Sequence, residues 1–247
     1  MSYGDGYLVR SAAATYPDGM RLDRHDHPWG QLAFCNSGVM QVISETATWL
    51  SPPTRAIWLP AGLAHEIVMK GKVATRFLYL APALAAPLPA APTVLEVAPL
   101  TRELVLHILT LRMLHPAEPA QDRLARLLVD LLVQARPLDL GLPLPSDRRA
   151  LAFARQVQAA PGEPAGLAEL ARRSGASLRT LQRLFPEQTG LTPEAWRQKA
   201  RLIAAVAALS TGASVATTAS DCGYDSTSAF ITTFKRCFGV TPGRYRS

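Results

Sequence analysis

Residues 167–193 read LAELARRSGASLRTLQRLFPEQTGLTP, and residues 215–242 read VATTASDCGYDSTSAFITTFKRCFGVTP. The two segments align with one inserted residue, so this part of the chain is an internal repeat. The matched pairs are Ala171 with Ala219, Gly175 with Gly223, Ser177 with Ser226, Leu181 with Phe230, and Phe185 with Phe234. A small residue lets two helices cross closely, glycine permits the positive φ of a tight turn, and serine caps the next helix. Each copy therefore predicts a helix, a turn and a second helix.

The segment between the two copies predicts one long helix. Thr192 is a good N-cap, Pro193 suits the first helical position, and Gly212 lies just past the end. Over 193–209 this helix would span roughly 25 Å, at about 1.5 Å per residue. Recognition helices that enter successive major grooves of DNA lie roughly 34 Å apart, so a rigid spacer of this kind suits two of them.

The repeat lies in the basic part of the chain. Of the net charge of +7, residues 1–145 contribute nothing, with 12 Lys or Arg and 12 Asp or Glu, whereas residues 146–247 contain 14 and 7. A positive excess confined to about a hundred residues is typical of a module that binds a polyanion, most often nucleic acid.

The repeat also carries a family resemblance. Residues 148–246 resemble the DNA-binding domain of the AraC/XylS family of bacterial transcription regulators, in ASLRTLQRLF, DCGYDSTSAF and above all FKRCFGVTPGRYR. The resemblance implies two helix-turn-helix units that offer their second helices to the major groove of double-stranded DNA. By position, the implied base-facing residues are Arg179, Gln182 and Arg183 in the first unit and Thr227, Ser228 and Thr232 in the second. Lys235 and Arg236 are better suited to phosphate.

The side chains of the two units predict unequal base reading. Arg and Gln make bidentate contacts with guanine and adenine, whereas hydroxyls and methyls give weaker direct readout. The second unit should therefore depend on thymine methyls, phosphates or DNA shape. Pro186 departs from the pattern, and we expect it to kink or end the first recognition helix near Phe185.

The N-terminal part predicts strands and a histidine cluster. Short apolar runs separated by Gly, Pro and Ser over residues 7–80 are typical of an all-β sandwich or barrel. His25 and His27 lie two apart and would share one face of a strand. The stretches HDHPWGQLAFCNSG and PAGLAH resemble the two cupin motifs, and this resemblance assigns the metal-ligand positions to His25, His27, Gln31 and His65.

The donor atoms of these residues restrict which metals could bind but do not identify a single one. Three imidazoles suit Zn, Ni, Fe, Cu or Mn as a divalent ion, and a weak fourth donor leaves room for an exogenous ligand. Gln31 stands where an acid is usual, so the ion's charge stays uncompensated, which weakens binding or favours an anionic guest. A histidine cluster with no metal remains an open alternative. No other cofactor is expected.

The predicted fold class is α+β with two domains. Residues 1–92 form an all-β cupin-like sensing barrel, 93–135 a helical dimerisation segment, 136–147 a linker, and 148–247 an all-α double helix-turn-helix domain. The Pro/Ala-rich stretch at 81–93 should lack regular structure. The start of the chain has no signal-peptide pattern, and no run of about 18 apolar residues suggests a membrane span, so we expect a cytoplasmic protein with no membrane partner.

The predicted function is regulation of transcription by a homodimer that binds DNA and senses a metal or small-molecule effector. RNA polymerase is a further candidate partner. Two alternatives remain open: a cupin metalloenzyme of the dioxygenase or isomerase type fused to DNA-binding helices, and a nucleoid-type protein without sequence preference. We expect no enzyme activity, because no acid/base pair accompanies the histidines.

Overall fold

The computed structural model describes residues 5–53 and 55–245, which divide into two compact units. The first unit extends to Ser44 and resumes over Trp49–Leu140, and the second contains Glu45–Thr48 and the chain from Gly141 onward. The strands are β1 Val9–Tyr16, β2 Arg21–His25, β3 Gly30–Cys35, β4 Val39–Ile43, β5 Ala47–Ser51, β6 Arg55–Leu59, β7 His65–Lys70, β8 Val73–Leu80, β9 Thr93–Glu96, β10 Met113–Leu114, β11 Pro137–Leu138 and β12 Gly141–Pro143. The helices are α1 Pro82–Ala85, α2 Pro99–Leu111, α3 Pro119–Gln134, α4 Arg148–Ala159, α5 Leu167–Arg173, α6 Leu178–Thr189, α7 Pro193–Ser210, α8 Val215–Asp221 and α9 Thr227–Phe238.

The first unit is built on two sheets. One has the strand order β10-β1-β8-β3-β6-β9-β11, and the other contains β5-β4-β7-β2 in that order. The pairs that join β1, β3, β6 and β8 are antiparallel. The predicted all-β domain is confirmed, but the strands form two sheets and not a closed barrel.

Helices α2 and α3 cover one face of the larger sheet. Leu32 and Phe34 of β3 join a core cluster with Leu104 and Ile108 of α2 and Leu128 of α3. The alternate residues of β3 are also buried, so the whole strand is inaccessible to solvent. Burial on both faces explains why residues 32–35 of this strand are all apolar.

Three segments differ from the sequence prediction. Residues 93–135, predicted as helical, contain the strands β9 and β10 besides the two helices. The stretch 81–93, predicted as irregular, contains α1, because Pro82 suits the first helical position. The Trp58 indole donates a hydrogen bond to the Pro89 carbonyl at 2.8 Å and holds the rest of this stretch against the sheet. The predicted linker at 136–147 contains the short strands β11 and β12.

The second unit has the predicted order of helices. The Ser177 and Ser226 hydroxyls cap α6 and α9 by accepting hydrogen bonds from Thr180 and Ala229 backbone N–H groups at 3.1 and 3.2 Å. Gly190 follows α6 with φ of 71°, a left-handed conformation that suits glycine. The two helix-turn-helix units and the long helix between them are therefore confirmed.

Pro186 does not end the first recognition helix near Phe185, so that part of the prediction was wrong. Helix α6 continues past this proline to Thr189, and the Pro186 carbonyl accepts a hydrogen bond from the N–H of Gly190 at 3.1 Å. A proline removes only one backbone donor, and Pro186 is exposed to solvent in the last turn of the helix. The adjacent Phe185 is fully buried and makes edge contacts with Phe153 and Trp196, which hold the helix in place.

Candidate functional site

The strand pairing brings two of the three histidines of the N-terminal unit side by side. His25 ends β2 and His65 begins β7, and the two residues are partners in the antiparallel register. Side chains of directly opposite residues lie on the same face of a sheet, about 5 Å apart at Cβ. The ring centroids of His25 and His65 are accordingly 4.5 Å apart.

His27 completes a triad from the turn that follows β2. Its ring centroid lies 5.4 Å from that of His65 and 6.0 Å from that of His25. One ring nitrogen of each histidine lies within 4.8 Å of the other two. A tetrahedral ion with bonds of about 2.0–2.1 Å holds ligand nitrogens about 3.3 Å apart, so small side-chain rotations would close the triad on a metal.

Each histidine has one ring nitrogen committed to the backbone. The three pairs of Nδ1 and carbonyl are His25 with Asp23 at 2.7 Å, His27 with Trp29, and His65 with Leu63 at 2.8 Å. A carbonyl can only accept, so Nδ1–H donates in every case, and in the neutral ring the lone pair is then on Nε2. Metal-binding histidines almost always have such an outer hydrogen bond, which fixes tautomer and ring orientation.

The Nε2 atom of His65 is buried without a hydrogen-bond partner among the described residues. Burial is the main reason why the pKa of His65 is lowered to about 4; the hydrogen bond to Leu63 and the charge of Asp26 oppose this shift, and the nearby His25 and His27 add to it. The ring is therefore neutral near pH 7. An unsatisfied buried acceptor costs roughly 1–3 kcal/mol. A cation bound to this nitrogen would remove that cost, so the donor set fits a metal.

Gln31 lies beside the triad on β3. Its side chain is fully buried, and its Oε1 is 2.9 Å from Nε2 of His27. Because Nδ1 of His27 donates to the backbone, Nε2 and Oε1 are two acceptors that face each other. A shared cation, or the opposite orientation of the amide, would satisfy both. Tyr79 lies on the neighbouring strand, with its hydroxyl 3.5 Å from Nε2 of Gln31.

No carboxylate belongs to the histidine cluster within the described part of the chain. Glu66 follows His65 directly, but strand alternation places its side chain on the opposite face, where Oε1 lies 3.9 Å from a guanidinium nitrogen of Arg21. The four residues that the sequence assigned to metal are thus brought together. Asp26, between His25 and His27 in the sequence, is near enough to act electrostatically on His65 but is not a member of the cluster.

The first recognition helix, α6, presents the predicted base-reading residues to solvent. Arg179, Gln182 and Arg183 are all exposed on one face, at the i, i+3, i+4 spacing that a helix requires. Leu181 and Phe185 are fully buried on the other face. The structure also contains an ion pair on this helix that was not predicted from the sequence.

Arg183 is engaged by a neighbour on its own helix. Its guanidinium Nη1 lies 3.0 Å from a carboxylate oxygen of Glu187, one turn further along α6. Both side chains are more than half exposed, so the pair is weak in water. The i, i+4 spacing in the sequence was the signal for this pair.

The second recognition helix, α9, exposes its predicted residues as well. These are Thr227, Ser228, Thr232, Lys235 and Arg236. The repeat alignment places Ile231, half-buried, at the position of Gln182. This residue is a missed candidate, which can contact only a thymine methyl or another apolar group.

Comparison with known proteins identifies both units. Residues 9–154 match the family described as AraC-like ligand binding domain, and residues 170–247 match a helix-turn-helix domain. The chain is 36% identical over 221 residues to the HTH-type transcriptional regulator NimR of Escherichia coli K12. The aligned residues are 90% of this chain and 81% of that protein. It is 35% identical over 103 residues to the HTH-type transcriptional regulator RipA of Corynebacterium glutamicum, covering 42% of this chain and 31% of that protein.

Among solved structures, ToxT from Vibrio cholerae O395 aligns with 96% of this chain and 96% of its own, at 11% identity and a TM-score of 0.41. No helix in the described ranges has the length and apolar character needed to cross a membrane. The family match over 9–154 includes more than half of the chain, and the relatives named above are regulators, not enzymes. The chain belongs to the AraC family of transcription regulators, with a DNA-binding helix-turn-helix domain and a ligand-binding N-terminal domain.

Proposed function

We propose that this regulator binds a divalent transition metal through Nε2 of His25, His27 and His65, with Gln31 as a weak fourth donor. The observation that carries the proposal is the buried His65 Nε2, which has no partner among the described residues and lies within a triad whose Nδ1 atoms all donate to carbonyls. Zn, Ni, Fe, Cu and Mn all match this donor set.

The charge of the site favours an anionic effector. Three neutral imidazoles and an amide are all uncharged ligands, so no ligand compensates the two positive charges of the ion, and the one carboxylate that acts on His65 is that of Asp26, outside the cluster. The bound metal would supply an electrophilic position for a carboxylate or a similar anion, while Gln31 and Tyr79 offer polar atoms beside it. We propose a small anion as the co-effector.

The test of the metal site is a calorimetric titration of the full chain with Zn, Ni, Co and Mn, after treatment with a chelator. We expect one ion per chain, with Mn weakest and Zn or Ni tight, in the order usual for nitrogen ligands. A second titration adds acetate or citrate to the loaded protein. Absence of binding by every ion would contradict the proposal.

We also propose that two copies associate through α3. Leu124, Leu127 and Leu131 form a stripe along this helix; Leu127 is 41% exposed, and Leu124 and Leu131 are half-buried against the core of the unit. In an antiparallel pair centred on Leu127, Arg123 lies within one residue of the level of Asp130 of the partner subunit, since the two positions are four and three residues from the centre. Because opposite charges of two identical helices would meet on either side of the apolar stripe, the partner that best fits this surface is a second copy of the chain.

The dimer is tested by Leu127→Glu, which places a charge in the centre of the stripe. Sedimentation at micromolar concentration should give a dimer for the unmodified chain and a monomer for the variant. Val133→Glu is the matched control, because Val133 is 52% exposed on another side of the same helix and should leave the dimer intact. A monomeric unmodified chain would overturn the proposal.

The remaining partners follow from the regulator function. A protein that binds promoter DNA acts where the chromosome lies, so we propose a cytoplasmic location in a bacterium. Contact with RNA polymerase remains a prediction for the case in which the regulator activates transcription.

A further inference from the structure

Two arginines of α7 hold the loop that connects α4 to the first helix-turn-helix unit. Arg197 and Arg201 lie one turn apart on the same side of α7, and both are half-buried. They donate to backbone carbonyls of the loop at 160–166. The bonds are Arg201 Nε to Pro161 at 2.9 Å, Arg201 Nη2 to Glu163 at 3.4 Å, Arg197 Nη1 to Ala165 at 2.9 Å, and Arg197 Nη2 to Glu163.

These bonds hold two like charges one turn apart, beside the carboxylates of Glu163 and Glu194. Burial, and then the charge of Arg201, lower the pKa of Arg197. Hydrogen bonds from a charged donor contribute more than neutral ones, and the planar guanidinium can serve two carbonyls at once. The loop is thus fixed to the middle of the long helix.

The same loop also touches the second helix-turn-helix unit. A Cβ added to Gly162 would lie 2.2 Å from the carbonyl oxygen of Asp221, the last residue of α8. Gly223, with φ of +72°, lies against the same glycine of the loop, and an added Cβ there would lie 3.1 Å from the Gly162 oxygen and 3.0 Å from Nη2 of Arg201. Backbone meets backbone here, so neither glycine can be enlarged without displacement.

We propose that Arg201, together with the contact of Gly162 with Asp221, sets the spacing and rotation between the two recognition helices. The loop leads directly into α5 of the first unit and packs on the turn after α8 of the second, while Arg201 binds it to the helix between them. These residues are positioning residues, because they determine which distance between DNA half-sites the domain accepts. The proposal rests on DNA reading by both units.

The test uses the full chain and a duplex selected from a random pool by that chain. Insertion of one base pair between the half-sites moves them apart by about 3.4 Å and rotates them by about 35°. We expect the unmodified chain to lose at least about 30-fold in affinity on insertion. Gly162→Ala, which changes no charge, should reduce this penalty to less than about threefold. Gly166→Ala is the matched control, since an added Cβ there meets nothing within 4 Å.

A second variant covers the case in which Gly162→Ala does not fold. Arg201→Lys keeps the charge but cannot serve two carbonyls in the same geometry, and it should also flatten the dependence on spacing. Arg155→Ala, on the exposed face of α4, controls for general charge loss. Folded variants that keep the full insertion penalty would overturn the positioning role. An unmodified chain with no preference between selected and bulk DNA would instead contradict sequence-specific reading itself.

Discussion

Replacement of His65 by alanine is expected to reduce metal affinity by more than about 100-fold. Loss of an outer-shell partner alone typically costs 10–100-fold, and this substitution removes a ligand that the fold already orients. His65 is the right residue to change, because it is fully buried and Nε2 is the atom left without a partner among the described residues. Competition with a chelating dye measures the affinity.

The matched control for this variant is His107→Ala. His107 is exposed on α2, outside the triad, so its removal takes away one imidazole without changing the site. His65→Gln keeps the side-chain volume close to that of histidine and covers the possibility that the alanine variant unfolds. Equal metal affinity in the folded His65 variants and the unmodified chain would contradict the metal centre.

The second large effect concerns DNA. Arg179→Ala should weaken binding to the selected duplex by roughly 5- to 150-fold, since one bidentate contact to guanine contributes about 1–3 kcal/mol. The loss should concentrate at one base position and relax specificity there. Arg183→Ala should cost less, because its guanidinium lies 3.0 Å from Glu187. Binding to a panel of duplexes with single base changes measures both effects.

Lys235→Ala provides the contrast within the second unit. Its side chain is exposed near the end of α9 and suits a phosphate contact. Its loss should weaken binding to all duplexes alike and reduce the slope of log affinity against log salt by about one. If Arg179→Ala instead lowers affinity for every duplex equally, then α6 does not read bases as assigned.

The helical half of the fold could be predicted from the sequence because its signals are local. Caps at Ser177, Thr192 and Ser226, glycines after the helices and the repeat itself all follow from neighbouring residues. The course of α6 past Pro186 could not be predicted in the same way. It depends on Phe185 packing against Phe153 and Trp196, which are distant in sequence.

The histidine site was predictable in its members and not in its geometry. The cupin-like spacing identified His25, His27, Gln31 and His65, but the register that pairs His25 with His65 is a property of the sheet. The hydrogen bonds from Arg201 to the loop at 160–166 could not be predicted from the sequence either. The acceptors of these bonds are backbone carbonyls, and every residue has one, so no pattern of side chains identifies them.

Taken as a sensor, the protein must bind DNA differently when its histidine site is occupied. The most direct measurement is the affinity of the full chain for the selected duplex, with chelator and then with one equivalent of the metal that binds most tightly. Coupling between sites is typically about 1–3 kcal/mol, so the account predicts a change of at least about fivefold, absent in His65→Ala. Equal affinities of the metal-free and metal-loaded chains would contradict it.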